Sequence, residues 1–218
     1  MRTRPIAVVY LLFFVWAIAA ALFGKGLVVA GDAAATATNI LAHETRYRAS
    51  IAAGLIGNLS YLALTALLYR LFEPVNRRLS LVAACFSAAG CVIQLLAALL
   101  QFAPLELLQR PLYVPVFTPA QLHAAALASL YLYSRTYHIS FVCFAAFELV
   151  LGYLMVKATF LPRVLGVLMM VGGVLWMTFL WPPLATALFP VVAGVGGVAE
   201  LAFMGWLLVK EPRLAHAV

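Results

Sequence analysis

The chain has 218 residues, of which 66% are hydrophobic and 10% charged, and its formal net charge is +7. A soluble domain carries about 25% charged residues, so these figures exclude an ordinary soluble enzyme or binding module and leave one integral membrane domain over residues 1–218. The basic residues collect between apolar runs and form no continuous basic face, which argues against nucleic acid and for a topology signal.

In chain order, Arg2 and Arg4 precede an apolar run over 6–23. The run is longer than the ~7–15 residues of a signal-peptide core, so it is read as a retained first span. Asp32 then offers an N-cap for a helix over 33–48. Thr36, Asn39, His43 and Arg46 recur there every three or four residues, giving the polar face of a helix at the membrane surface.

A second span is predicted over 50–71, with Gly54, Asn58, Tyr61 and Thr65 along one stripe. The connector Glu73-Pro74-Val75-Asn76-Arg77-Arg78 follows, and its proline stops the helix. The third span, 79–102, places Ser87, Gly90, Cys91, Gln94, Ala97, Ala98 and Gln101 on one side. Small and polar residues sharing a face mark helix contact rather than lipid contact. Residues 103–119 carry Pro104, Pro111, Pro115 and Pro119 and are not expected to form one regular helix. Thr118-Pro119-Ala120-Gln121 fits a capping box with proline at the first helical position. The helix it starts, over 119–134, is too short to cross a bilayer and is placed in the interface, with Tyr131, Tyr133 and Tyr137 near headgroup level.

The fourth span lies within 137–163, the fifth over 164–180 and the sixth over 189–209. The fold class is therefore all-α, a polytopic transmembrane helical bundle of about six spans plus two outer-surface interfacial helices. Cys85, Cys91 and Cys143 all fall inside apolar runs without CxxC spacing, and read as small buried hydrophobes rather than a disulfide or zinc framework.

With six spans and a cytoplasmic N-terminus, one side receives nine basic residues (Arg2, Arg4, Arg70, Arg77, Arg78, Lys157, Arg163, Lys210 and Arg213). The other receives five: Lys25, Arg46, Arg48, Arg110 and Arg135. The richer side is cytoplasmic by the positive-inside bias, which places both termini inside a bacterial inner membrane.

The strongest candidate site is a polar layer at mid-depth. Glu148 lies near the centre of the fourth span and Glu200 slightly inward in the sixth, with Gln94 and Asn58 at comparable or slightly outer depth and Tyr61 on the same stripe as Asn58 as a further candidate. A carboxylate in lipid is costly unless it is paired, protonated or facing a cavity. Each of the two glutamates and two amides sits beside small residues that let helices approach. The functional reading is a ligand-binding or proton-titrating centre built on the two glutamates; the plainer reading is a hydrogen-bonded packing cluster. A second grouping, His43, His123 and His138, falls on the outer side in this topology. With Glu44 these histidines have the chemistry to hold zinc or copper, but they come from three separate segments and are equally readable as interfacial anchors. His216 lies in the tail and has no role assigned.

The stretches GDAAATATNILAHETRYR, residues 31–48, and LGYLMVKATFLPRVLGVLMMVGG, residues 151–173, resemble a bacterial multi-pass membrane family of unknown function, DUF4386. The resemblance extends from the first span through the sixth. It implies an all-helical integral membrane protein and carries no activity and no catalytic residues.

These readings lead to a protein that binds or translocates a small ligand or ion through an intramembrane cavity centred on two glutamates. One rival is a structural subunit whose small-residue faces pack against a second copy or a membrane partner. Another is an intramembrane enzyme, although no nucleophile, phosphate loop or HExxH motif accompanies the carboxylates. The bilayer is the partner common to all three, and no cofactor is assigned.

Overall fold

The computed structural model of the chain describes residues 3–109, 113 and 116–209. Seven α-helices run in order among these: α1 Arg4–Gly24, α2 Ala33–Ala42, α3 Glu44–Phe72, α4 Arg77–Gln109, α5 Pro119–Lys157, α6 Arg163–Trp176 and α7 Pro182–Val209. A single 3-10 turn, Met177–Leu180, extends α6. No strand occurs among the described residues. Among the described residues six segments are long and apolar enough to cross a membrane: α1, α3, α4, α5, α6 with its 3-10 turn, and α7. The protein is an all-α, multi-pass membrane protein whose exposed Val8, Leu11, Val15, Ile18 and Leu22 on α1 suit contact with lipid.

The helix boundaries follow local chemistry. Asp32 caps α2 as expected, its Oδ1 accepting from the Ala35 N–H at 2.8 Å. The surface helix predicted over 33–48 is divided at His43, which leaves helical geometry at φ −125° and ψ 38°; Glu44 onward belongs to α3. The Thr118 capping box forms: Thr118 N–H donates to Gln121 Oε1 at 2.9 Å, and Gln121 N–H returns to Thr118 Oγ1 at 3.4 Å.

Two expectations are corrected here. The segment 119–134 is helical, but it is not a separate interfacial helix. It is the start of the 39-residue α5, because no Pro or Gly interrupts residues 120–151. At 1.5 Å per residue α5 is about 58 Å long, roughly twice a ~30 Å hydrocarbon core, so one helix supplies both a span and a long extension. Helix α4 likewise continues through Pro104 to Gln109. One turn before that proline, the Tyr47 hydroxyl donates to the Gln101 carbonyl at 2.5 Å. Such added bonds support helical backbone near a proline that cannot donate its own. Arg110, Pro111 and Pro115 of the proline-rich connector lie outside the described residues, as do Arg2, Lys210, Arg213 and His216.

The chain contains two compact units. The first comprises Met1–Leu12, Leu59–Val92 and His138–Val218; the second comprises Phe13–Asn58 and Ile93–Tyr137. In the first unit α5 and α6 meet at glycines: a Cβ on Gly152 would lie 2.6 Å from the Gly166 carbonyl oxygen, and a Cβ on Gly166 the same distance from that of Gly152. Only glycine permits so close an approach of backbones. In the second unit Leu27, Ile40, Tyr47, Ile51, Leu105 and Leu130 form a core, and the Arg46 guanidinium ties down the connector after α1 by donating to the Phe23 and Lys25 carbonyls.

Cys91 is buried as expected, Cys143 is half-buried, and Cys85 is exposed; all three are free thiols.

Candidate functional site

Glu148 of α5 is 2% exposed. Its carboxylate accepts from the Trp176 indole N–H and interacts electrostatically with Glu200. Its second oxygen, Oε2, is buried with no hydrogen-bond partner among the described residues. Two glycines make room for this carboxylate. A Cβ on Gly172 of α6 would lie 2.8 Å from Oε2, and one on Gly196 of α7 would lie 2.8 Å from the Trp176 indole nitrogen. The niche thus depends on glycine at both positions, and the indole reaches Glu148 across Gly196.

Glu200 of α7 is half-buried. It accepts from two tyrosines: the Tyr61 hydroxyl at 3.1 Å and the Tyr10 hydroxyl of α1. Both tyrosines are buried. Their rings are locked edge-on, Tyr10 against Tyr61 at 6.4 Å and against Phe203 at 6.3 Å, and Tyr61 against Phe144 at 5.2 Å. Packing of this kind fixes where the hydroxyls point.

Of the five candidate residues, Glu148, Glu200 and Tyr61 gather in the first unit. Asn58 and Gln94 belong to the second, where Asn58 Nδ2 donates to Gln94 Oε1 at 2.7 Å. The amides therefore bond to each other. The cavity of about 270 Å³ that they help line contains neither glutamate in its wall. Thr65 pairs with Ser87 at 2.6 Å within the first unit.

Tyr10, Trp176 and Gly172 were not anticipated. Tyr10 carried a legible signal, being the sole hydroxyl-bearing residue in the apolar run 6–23. Trp176 and Gly172 carried none, since aromatic and glycine residues are common in spans.

No group of three or more His, Cys, Asp or Glu side chains suited to a metal occurs among the described residues. His43 caps α2 through its backbone and contacts the Asn39 carbonyl through Nδ1 at 3.2 Å. His138 joins an aromatic cluster, 5.1 Å from Phe179 and 6.1 Å from Phe141, and Phe141 stacks on Trp176 at 4.6 Å.

The profile of a family described as Domain of unknown function (DUF4386) matches residues 6–210. No curated protein and no solved structure matches the chain.

Proposed function

We propose for this chain, which belongs to the DUF4386 family, that it binds or translocates a proton or small cation at the carboxylates Glu148 and Glu200. One observation carries the reading: Glu148 Oε2 is buried and unpartnered beside a second carboxylate. Buried polar atoms are almost always satisfied, and an exception calls for an occupant or a role. Carboxylate oxygens only accept, so the complement is an N–H, an O–H or a positive charge. Tyr10 and Tyr61 offset the lost hydration of Glu200 and hold it in place. Trp176 orients Glu148 and leaves Oε2 as the open acceptor. Intramembrane carboxylates arranged in this way suit a proton relay or an ion path.

The membrane assignment is refined in the same proposal: a bacterial inner membrane, with both termini cytoplasmic, supported by the nine-to-five asymmetry of basic residues. A C-terminal fluorescent-protein fusion should be bright and a C-terminal alkaline-phosphatase fusion inactive; the reverse pair would invert the orientation.

The site is tested by infrared difference spectroscopy on protein reconstituted in liposomes, stepping pH and then sodium concentration. The wild type should show a carboxyl carbonyl band that responds to one of the two steps. That band should be missing from Glu148→Gln, with helicity unchanged by circular dichroism. Identical difference spectra for wild type and variant would remove Glu148 from the function.

A further inference from the structure

Glu148 Oε2 is closed off. The residue is buried, and this oxygen has essentially no surface that a water molecule could touch. A Cβ on Gly172 would lie 2.8 Å from Oε2 and 3.5 Å from the Gly196 Cα, so the space beside the oxygen is too small for a methyl group. The other oxygen is held by the Trp176 indole N–H, which keeps the carboxyl from turning away. A metal cation gathers a shell of oxygens, about six for magnesium at ~2.0–2.1 Å and about six to eight for calcium. Oε2 has no room for such a shell, whereas a proton needs none.

Glu200 is the charged group that acts on Glu148. Tyr10 of α1 and Tyr61 of α3 are the titratable groups on the facing helices, with Cys91 of α4 beside Tyr61. Along α5 and α6 the nearest Lys or Arg residues, Lys157 and Arg163, are each nine positions from Glu148 and Gly172 respectively, about 13 Å at the helical rise. His138 is farther along α5 and sits among the rings of Phe141 and Phe179. No Lys, Arg or His occurs on α7. A buried carboxylate without a counter-charge neutralises by taking up a proton, and two neighbouring carboxylates do not both ionise cheaply. The two members are not equivalent. Glu200 accepts from two phenol O–H groups, which favour its ionised form. Glu148 accepts from one indole N–H and has Oε2 left over. Glu200 is also half-buried, so it keeps surface that Glu148 lacks.

We infer that the cation of this site is a proton, stored on Glu148 Oε2 and exchanged through Glu200, and that metal cations are not taken up. The inference rests on the proposed carboxylate function and narrows it. In the transfer the O–H bond at Glu148 Oε2 breaks as an O–H bond forms on a Glu200 oxygen, so the pair keeps one proton and one negative charge. The proton is then exchanged with the surroundings from Glu200, the member with open surface, while Tyr10 and Tyr61 hold that carboxylate in position.

The test uses the full-length chain in liposomes and infrared difference spectroscopy in choline buffer. The pH is stepped first; sodium, potassium and magnesium chloride are then added separately at fixed pH. In the wild type a carboxyl carbonyl band should change with pH and shift in deuterium oxide, and none of the three salts should alter it. A band that answers any salt at fixed pH would overturn the proton while leaving a cation site at the carboxylates. A band that answers neither pH nor salt would remove both readings. These arms need no variant, so they decide even where a substitution prevents folding. Glu200→Gln, with helicity checked by circular dichroism, should keep the band and slow its deuterium exchange by about a hundredfold. Unchanged exchange in that variant would overturn the passage through Glu200. A band lost from Glu200→Gln but kept in Glu148→Gln would place the proton on the wrong carboxyl and overturn the storage role of Glu148.

Discussion

In the first unit glycine brings backbones together. The Cβ positions of Gly152, Gly166 and Gly173 would fall 2.6–2.9 Å from carbonyl oxygens of the facing helix. In the second unit the glycines beside the cavity meet little: a Cβ on Gly24 would be 3.8 Å from its nearest neighbour, on Gly54 4.0 Å and on Gly57 3.4 Å. Both sets lie near polar residues, and in sequence they look alike. What differs is the opposing surface. Gly152 faces another glycine on α6, whereas Gly54 faces the methyl of Ala20. Small-next-to-polar thus describes two situations, a tight contact around a carboxylate and an open space around an amide.

The largest effect that would sharpen this contrast is Gly152→Ala. Its new methyl would meet the Gly166 carbonyl and the Met170 amide nitrogen, both backbone, so neither yields by changing rotamer. A destabilisation of about 3 kcal/mol is expected, read by denaturant titration in mixed micelles. Gly54→Ala should change stability by less than about 0.5 kcal/mol. Equal losses for the two would break the comparison.

Next is Trp176→Phe, which keeps a ring over Gly196 and removes the indole donor. Both oxygens of Glu148 would then lack that support, at a cost of about 2 kcal/mol, and the carboxyl infrared band assigned to Glu148 should shift. A stability loss with no spectral change would mean that Trp176 packs without orienting Glu148. Tyr61→Phe should cost less, about 1 kcal/mol, because Glu200 keeps Tyr10 and the ring contacts with Phe144 and Phe147 survive. If Tyr61→Phe proves the more damaging, Glu200 rather than Glu148 is the centre of the site.

Smallest is Thr118→Ala. The capping bond at the start of α5 is exposed, so the loss should be about 0.5–1 kcal/mol, confined to faster amide exchange in the first turn. Exchange spreading as far as Glu148 would show that the 39 residues of α5 melt as one body.

Much of this protein is legible in its sequence. Six apolar spans follow from hydropathy alone, because backbone in lipid must satisfy its own hydrogen bonds and helices are the local way to do so. The caps at Asp32 and Thr118 are equally local, each a side chain reaching three residues along its own chain. Glu148 and Glu200 stood out because a carboxylate within an apolar run requires an explanation. The pairing of these groups was not legible. Residues 58 and 94 share a depth with 148 and 200, yet the amides bond to each other, and Tyr10 of α1 takes a place on Glu200. Depth along a helix is set by sequence position, whereas the azimuth at which two helices meet is set by packing across many side chains. Only the tertiary structure decides, for that reason, that Gly172 and Gly196 open a niche for Glu148 and that Asn58 pairs with Gln94.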